Sequence, residues 1–319
     1  MTLMPDGKSF ITASGTVQSE IWIHNDKTGD RPITSEGYAS SPWLSPDRKK
    51  VYYLRRTSGA HSYFSGELWV SEVKTGAAER LFPGIFITQF ALSQDGKKIL
   101  FATEQGQAHS GLWIAGLDRT QAPQQLTSGG EYRAFFGRPG EIVYQGGQDL
   151  ARLMRMNEDG SGQHPAADLP IVQLESVSPD GRWTIVGMTP PEGHGDRAIK
   201  HLAVPLDGGE PFTVCDNCAS GFGTARFGAP LLLWGQDGKW LYIKLRLFGY
   251  SVDKTAAIPT HPGDAPSVIK DMKDEAAVLR LPGARVILAE EVFPMNSPDY
   301  YVSVRKSAKT NLFRIYLQP

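Results

Sequence analysis

The residues best suited to chemistry in this chain are its two cysteines, Cys215 and Cys218, spaced Cys-x-x-Cys. That spacing serves thiol–disulfide exchange when it lies beside a βαβ unit. It also supplies half of a tetrahedral zinc site, which takes four ligands. The surrounding sequence has no βαβ pattern and the chain has no second cysteine pair. The two thiols therefore read as a loop pair, either free or joined in a small local disulfide. A second cluster, Glu192-x-His194-x-Asp196 with His201, has metal-ligand residue types. Its context, Pro190-Pro191-Glu192-Gly193-His194-Gly195, has loop composition, and no metal is expected there. Glu290-Glu291 pairs two carboxylates at a strand end, where solvation is the simpler reading.

Motifs that would carry a reaction are missing. The sequence holds no Gly-x-Ser-x-Gly elbow, no phosphate-binding Gly-x-x-x-x-Gly-Lys-Ser/Thr loop, no kinase signature set and no His-Glu-x-x-His. No catalytic residue and no cofactor is expected. Charge is balanced: 33 basic against 34 acidic residues in 319, formal net charge -1. Such a chain has no long-range field for nucleic acid or an anionic surface. No apolar run approaches the roughly 20 residues that span a bilayer, and residues 1–8 lack the charged start and apolar middle of a signal peptide.

The elements that must hold any site are set by a repeated phrase, a Pro-Asp-Gly turn followed by a β-rich strand. It occurs at Pro5-Asp6-Gly7, Pro46-Asp47-Arg48, Gln94-Asp95-Gly96, Pro179-Asp180-Gly181 and Gln236-Asp237-Gly238, with weaker copies around Pro139-Gly140 and Pro298-Asp299. Asp and Gly tolerate the positive φ of a tight reversal. The copies are 41, 48, 44, 41, 57 and 62 residues apart. A period near 40–50 with several strands per unit marks a β-propeller. Each unit reads as four antiparallel strands, a to d, with the turn joining a to b. Strand c has its own signature, Glu20-Ile21-Trp22-Ile23, Glu67-Leu68-Trp69-Val70 and Gly111-Leu112-Trp113-Ile114, loosely repeated as Leu153-Met154-Arg155-Met156 and Leu312-Phe313-Arg314-Ile315. The tryptophans are expected to pack between blades.

The expectation is an all-β, seven-bladed propeller over residues 1–319, read as the C-terminal part of a longer protein. Six blades are the alternative, because the first unit has only a stub of strand a and the last has no strand d. Either sequence upstream is missing or the C-terminus completes the first blade.

In an up-and-down blade, the a–b turns mark one face and the b–c and d–a connections the other. Long irregular segments are assigned to the second face: 57–66, 187–198 and 248–255 as b–c, 216–228 and 262–283 as d–a, the last with a helical stretch over 267–281. Loops on a rigid scaffold carry function, and aromatics with Arg anchor recognition surfaces. The candidate ligand-binding residues are His61, Tyr63, Phe64, His194, Arg226, Phe248 and Tyr250, with Phe222 in the same loops. A protein or peptide is the expected partner. The alternative is a lyase or hydrolase site in the central channel, for which the inner strands offer only Gln89, Arg133, Glu175 and Glu290.

Ser-Pro-Asp-Gly-Lys/Arg before an apolar strand, matched at 45–51, 93–99 and 178–185, resembles the WD40-like propellers of the TolB-like type. With Ser19-Glu20-Ile21-Trp22-Ile23-His24, Glu36-Gly37-Tyr38-Ala39, Leu281-Pro282-Gly283-Ala284-Arg285 and Asn311-Leu312-Phe313-Arg314-Ile315, the pattern looks like the C-terminal propellers of acidobacterial membrane-bound serine/threonine kinases or winged-helix regulators. That resemblance implies a sensor or protein-binding module of a signalling protein, extracytoplasmic if it is such an ectodomain, with any kinase domain outside this chain.

Overall fold

The repeated turn phrase folds the same way at three of its copies. In the computed structural model, Ser178 Oγ donates to Asp180 Oδ1 (2.6 Å) and accepts from Trp183 N (2.9 Å), while Arg182 N donates to Asp180 Oδ1 (3.2 Å). Ser45 with Asp47 and Ser93 with Asp95 repeat this set. The residue after Asp takes a positive φ: 61° at Arg48, 68° at Gly96, 67° at Gly181. The described residues are 2–5, 8–35, 37–57, 65–103, 111–129, 131, 133–147, 150–188, 199–215, 232–245, 254–269, 275–289 and 291–316.

The strands in chain order are β1 (Thr2–Leu3), β2 (Ser9–Asn25), β3 (Arg31–Pro32), β4 (Ala39–Leu44), β5 (Lys50–Arg55), β6 (Glu67–Glu72), β7 (Ala78–Leu81), β8 (Ile87–Leu92), β9 (Lys98–Thr103), β10 (Leu112–Gly116), β11 (Gln124–Gln125), β12 (Arg133–Phe136), β13 (Glu141–Gly146), β14 (Arg152–Asn157), β15 (His164–Pro170), β16 (Gln173–Val177), β17 (Trp183–Met188), β18 (Lys200–Pro205), β19 (Phe212–Cys215), β20 (Leu232–Trp234), β21 (Trp240–Lys244), β22 (Thr255–Pro259), β23 (Arg285–Ile287), β24 (Glu291–Ser297) and β25 (Tyr300–Tyr316). Blades 2 to 6 are β4–β7, β8–β11, β12–β15, β16–β19 and β20–β23, each four antiparallel strands in a-b-c-d order. Blade 1 is built from both chain ends: β24 and β25 give strands a and b, β2 and β3 give c and d.

The ring thus has six blades, and the expectation of seven is corrected to its alternative. The first and last sequence units are one blade. The segments 9–12 and 20–23 lie on one strand, β2, and 301–304 and 312–316 on another, β25. These two 17-residue strands pair along their whole length, from Ser9↔Tyr316 to Asn25↔Tyr300. A second correction concerns 262–283, assigned above to a d–a connection: the strand that follows it, β23, is the outer strand of blade 6. The preceding stretch, 260–284, is therefore a c–d connection on the turn side, not a d–a loop on the opposite face. Its helical part is α1 (Glu275–Leu279), with 270–274 outside the described residues.

Each core cluster crosses a blade boundary. Ile185 and Ala203 of blade 5 pack with Leu241 and Ala256 of blade 6. Leu100 and Leu112 of blade 3 pack with Ile142 and Tyr144 of blade 4. Trp69 packs against the cluster that joins blade 1 to blade 2, and Trp113 against that joining blades 2 and 3, as expected for strand c. Fully burying one such aliphatic side chain is worth about 1.5–3 kcal/mol. The turns interlock too: a Cβ on Gly96 would stand 2.8 Å from Pro46 Cδ of the neighbouring turn, and one on Gly181 would stand 2.5 Å from Arg138 N.

The seam of blade 1 carries an ionic cluster. His24 Nε2 meets Asp26 at 2.7 Å, its Nδ1 meets Asp30, Arg305 pairs with Asp30, and the ring stacks on Tyr301 at 4.5 Å. Partial burial opposes the imidazolium, but hydrogen bonds and charge from Asp26 and Asp30 outweigh it and raise the His24 pKa above 6.5. A raised folded pKa gives stability that is complete below the unfolded value and fades as pH rises through the folded one. The melting temperature should fall as pH climbs above about 6.5, and His24→Gln should remove that part of the slope. In the turns, Gly181→Ala should cost about 2–4 kcal/mol in a denaturant titration, from left-handed strain plus overpacking. Gly76→Ala, also at positive φ (73°) but with nothing within 4 Å, should cost only the strain, about 1–2 kcal/mol.

Candidate functional site

The innermost strands of a propeller have no sheet neighbour on the channel side, so their polar groups must find partners across blade boundaries. Side chains provide them. Gln89 on β8 donates through Nε2 to Ala134 O (3.2 Å) and accepts from Ala134 N at Oε1 (3.2 Å), standing in for a ladder between blades 3 and 4. Gln145, at the end of β13, does the same to blade 5: it accepts from Leu174 N (2.9 Å) and donates to Val172 O (3.2 Å) and Leu150 O (2.8 Å). Arg133 of β12, only 2% exposed, donates through Nη1 to Leu174 O (3.0 Å). Of the polar inner-strand residues read from the sequence as the only material for a channel reaction, Gln89 and Arg133 are thus structural staples. Glu290 lies outside the described residues.

Blade 5 breaks the pattern. Gly187 of β17 stands where Gln145 stands in blade 4, each opposite the first residue of its inner strand, Gln173 and Arg133 respectively. Across the blade, Gln173, Gly187, His201 and Cys215 lie on one rung. Gln173, opposite that glycine, is buried, and its Nε2 and Oε1 make no hydrogen bond. Ser176 Oγ on the same strand is also unsatisfied, as is His201 Nδ1. His201 Nε2 faces Glu175 Oε1 at 3.2 Å, and both residues are 0% exposed. With Nε2–H donating to the carboxylate, Nδ1 of a neutral ring is left as an acceptor. Cys215 closes the rung and is disulfide-bonded; Cys218, the only other cysteine, lies outside the described residues.

Blade 5 thus holds buried amide, hydroxyl and imidazole atoms without partners, and a carboxylate against the same imidazole. Among the described residues no group of three His, Cys, Asp or Glu side chains is placed to hold a metal. The rung lies at the chain exits of blade 5: residues 189–198 connect β17 to β18, and 216–231 connect β19 to β20. These belong to the b–c and d–a face, as do the connections after β5 and β21. The candidate residues His61, Tyr63, Phe64, His194, Phe222, Arg226, Phe248 and Tyr250 all fall in these connections, outside the described residues. Sequence reasoning did not single out Gln173 and Ser176, whose buried polar atoms lack partners. The available signal was the glycine at 187 in a strand position that holds Gln145 one repeat earlier.

Stability should separate the two kinds of glutamine. Gln89→Leu orphans the Ala134 N–H and C=O and should cost about 2–3 kcal/mol, whereas Gln173→Leu removes an amide already without partners and should be neutral or stabilising by about 1 kcal/mol. Thermal unfolding of both variants checks this.

No protein-family model matches the chain, and a search of curated proteins finds no match. Solved structures do match. A TolB-type protein of Agrobacterium tumefaciens superposes with a TM-score of 0.59 at 17% identity, over 92% of this chain and 99% of that one. TolB of Acinetobacter baumannii gives 0.53 at 14% identity, over 76% and 61% of the two chains. Oligogalacturonate lyase of Vibrio parahaemolyticus gives 0.50 at 14% identity, over 81% and 74%. At these identities the likeness shows the fold, a TolB-like β-propeller, and nothing of activity.

Proposed function

We propose that this propeller is a binding module without chemistry of its own, taking a protein or peptide on the face of the b–c and d–a connections. The observation that carries the reading is the rung of blade 5. Gln173, Ser176 and His201 hold buried polar atoms without partners, beside the chain exits of two long connections. An unpaired buried polar group costs about 1–3 kcal/mol, a cost that a partner's complementary groups would offset. Two of the inner-strand groups that a channel reaction would need, Gln89 and Arg133, are consumed in inter-blade staples. From the sequence resemblance we propose further that the module is the regulatory portion of a signalling protein such as a serine/threonine kinase.

Replacing 58–64 and 189–198 by short Gly-Ser links tests the face. Partner capture from native extract should fall to background while the melting temperature stays within a few degrees; undiminished capture would overturn the assignment. One observation, the buried Glu175–His201 pair, favours a second reading, acid–base chemistry in the ring. Since an oligogalacturonate lyase shares the fold, oligogalacturonate is the substrate to try. Unsaturated product that His201→Gln abolishes would replace the binding reading with this one.

A further inference from the structure

A disulfide stabilises a fold mainly by restricting the unfolded chain, and the gain grows with the length of the loop it closes. The bridge of Cys215 to Cys218, the only other cysteine, spans two intervening residues, Asp216 and Asn217. A loop that short removes little freedom from the unfolded chain. The strand end it joins is also fixed without it. β19 pairs with β18 at Phe212, Thr213 and Cys215, and the buried Val214 accepts at its carbonyl oxygen from Ile269 N (2.7 Å). What sets this bridge apart is the residue opposite it.

Cys215 stands directly opposite His201. Paired residues of an antiparallel ladder share a face, with their Cβ atoms about 4.5–5.5 Å apart. His201 Nε2, the ring nitrogen farther from the backbone, faces Glu175 Oε1 on β16 at 3.2 Å. Strand β17 lies between β18 and β16, and its residue on this rung is Gly187, which has no side chain. His201 Nδ1, the nitrogen nearer its own backbone, makes no hydrogen bond although the residue is fully buried. A bridged sulfur carries neither a proton to donate nor a charge to attract one. A free sulfur at the same place carries one or the other: the thiol donates to a neutral Nδ1, and the thiolate accepts from the Nδ1–H of an imidazolium. Reduction thus satisfies a buried atom that the bridge leaves orphaned.

We propose that the Cys215 bridge is a reversible redox site, opened and reformed by exchange with external thiols, in which His201, held by Glu175, stabilises the released Cys215 sulfur. The exchange balances. The protein S–S bond breaks, one S–S bond forms between two external thiols, and two electrons with two protons pass to the protein. Cys215 is 1% exposed, so the attacking thiolate takes the other sulfur and Cys215 is the leaving group. A cationic imidazole beside a leaving sulfur favours the thiolate and speeds its departure. Glu175 accepts from Nε2–H and so fixes the tautomer and orientation of the ring. Stabilising the reduced form makes a disulfide easier to reduce. The rung of blade 5 alone carries this role, whether or not the loop face takes a partner.

The test is a redox titration of the full chain in glutathione buffers, with free thiols trapped by a maleimide and counted by mass. The bridge should be half-reduced within the range of those buffers while circular dichroism shows the ring still folded. His201→Leu should make the bridge about tenfold harder to reduce, a shift of about 30 mV for this two-electron couple. Glu175→Gln keeps a hydrogen-bonding partner for Nε2 but removes the charge, and should have a smaller effect in the same direction, about threefold. A third readout needs no variant. In the unaltered chain carrying isotope-labelled histidine, reduction should move the Nδ1 resonance of one imidazole more than its Nε2 resonance. A bridge that stays closed until the fold is lost, a midpoint unchanged in both folded variants, or histidine signals indifferent to reduction would each overturn the proposal.

Discussion

Every blade of this ring is apolar on both faces, and no blade can bury both by itself. That single constraint fixes most of the architecture. Each core cluster is shared between neighbours, so the burial that stabilises one sheet is completed by the next. In a solenoid this logic leaves two exposed ends; in a ring it demands closure. Closure here falls to β2 and β25, which join the two ends of the chain in one continuous antiparallel ladder. The entropy of bringing such distant segments together grows only slowly with the intervening length. A long ladder with the His24, Asp30 and Arg305 cluster at its side is ample to hold it.

The same closure creates a second demand. Packing blades about an axis turns six inner strands toward one another with no ladder between them. The chain meets this with side-chain amides and a guanidinium that copy the backbone's own hydrogen-bonding groups. Gln89 satisfies both polar groups of Ala134, and Gln145 does nearly the same for Leu174 and Val172. Polar residues near a propeller channel are easily taken for catalytic material, but Gln89, Gln145 and Arg133 are part of the frame. Among the described residues, four of the six buried side-chain atoms left without partners sit in blade 5, the others being Trp69 Nε1 and Gln236 Oε1.

The turns and strands were legible because their determinants are local. Asp-Gly needs positive φ, Ser-x-Asp closes its own hydrogen bonds, and Leu-Trp-x marks strand c. The blade number was not legible, because the decisive pairing joins residues about 300 apart, and the segments between strand signatures in β2 and β25 are polar enough to read as loops. Arg285–Ile287 is too short to declare itself inner or outer strand, and the misreading carried 262–283 to the wrong face. The staples were hidden for a related reason. Whether Gln145 reaches Leu174 depends on the register between two blades, which no single repeat encodes.

A repeat protein nevertheless carries its own reference. Equivalent rungs face equivalent demands, so a residue that departs from its counterpart changes what its neighbours need. Two departures from blade 4 have this character. Gly187 stands where blade 4 has Gln145, and Ser9 stands where it has Glu141. At 187 the glycine has a packing reason, because a Cβ there would stand 2.9 Å from Ile199 Cγ2. Comparison between repeats thus separates the staples Gln89, Gln145 and Arg133 from the buried atoms of Gln173, Ser176 and His201 that have no partner.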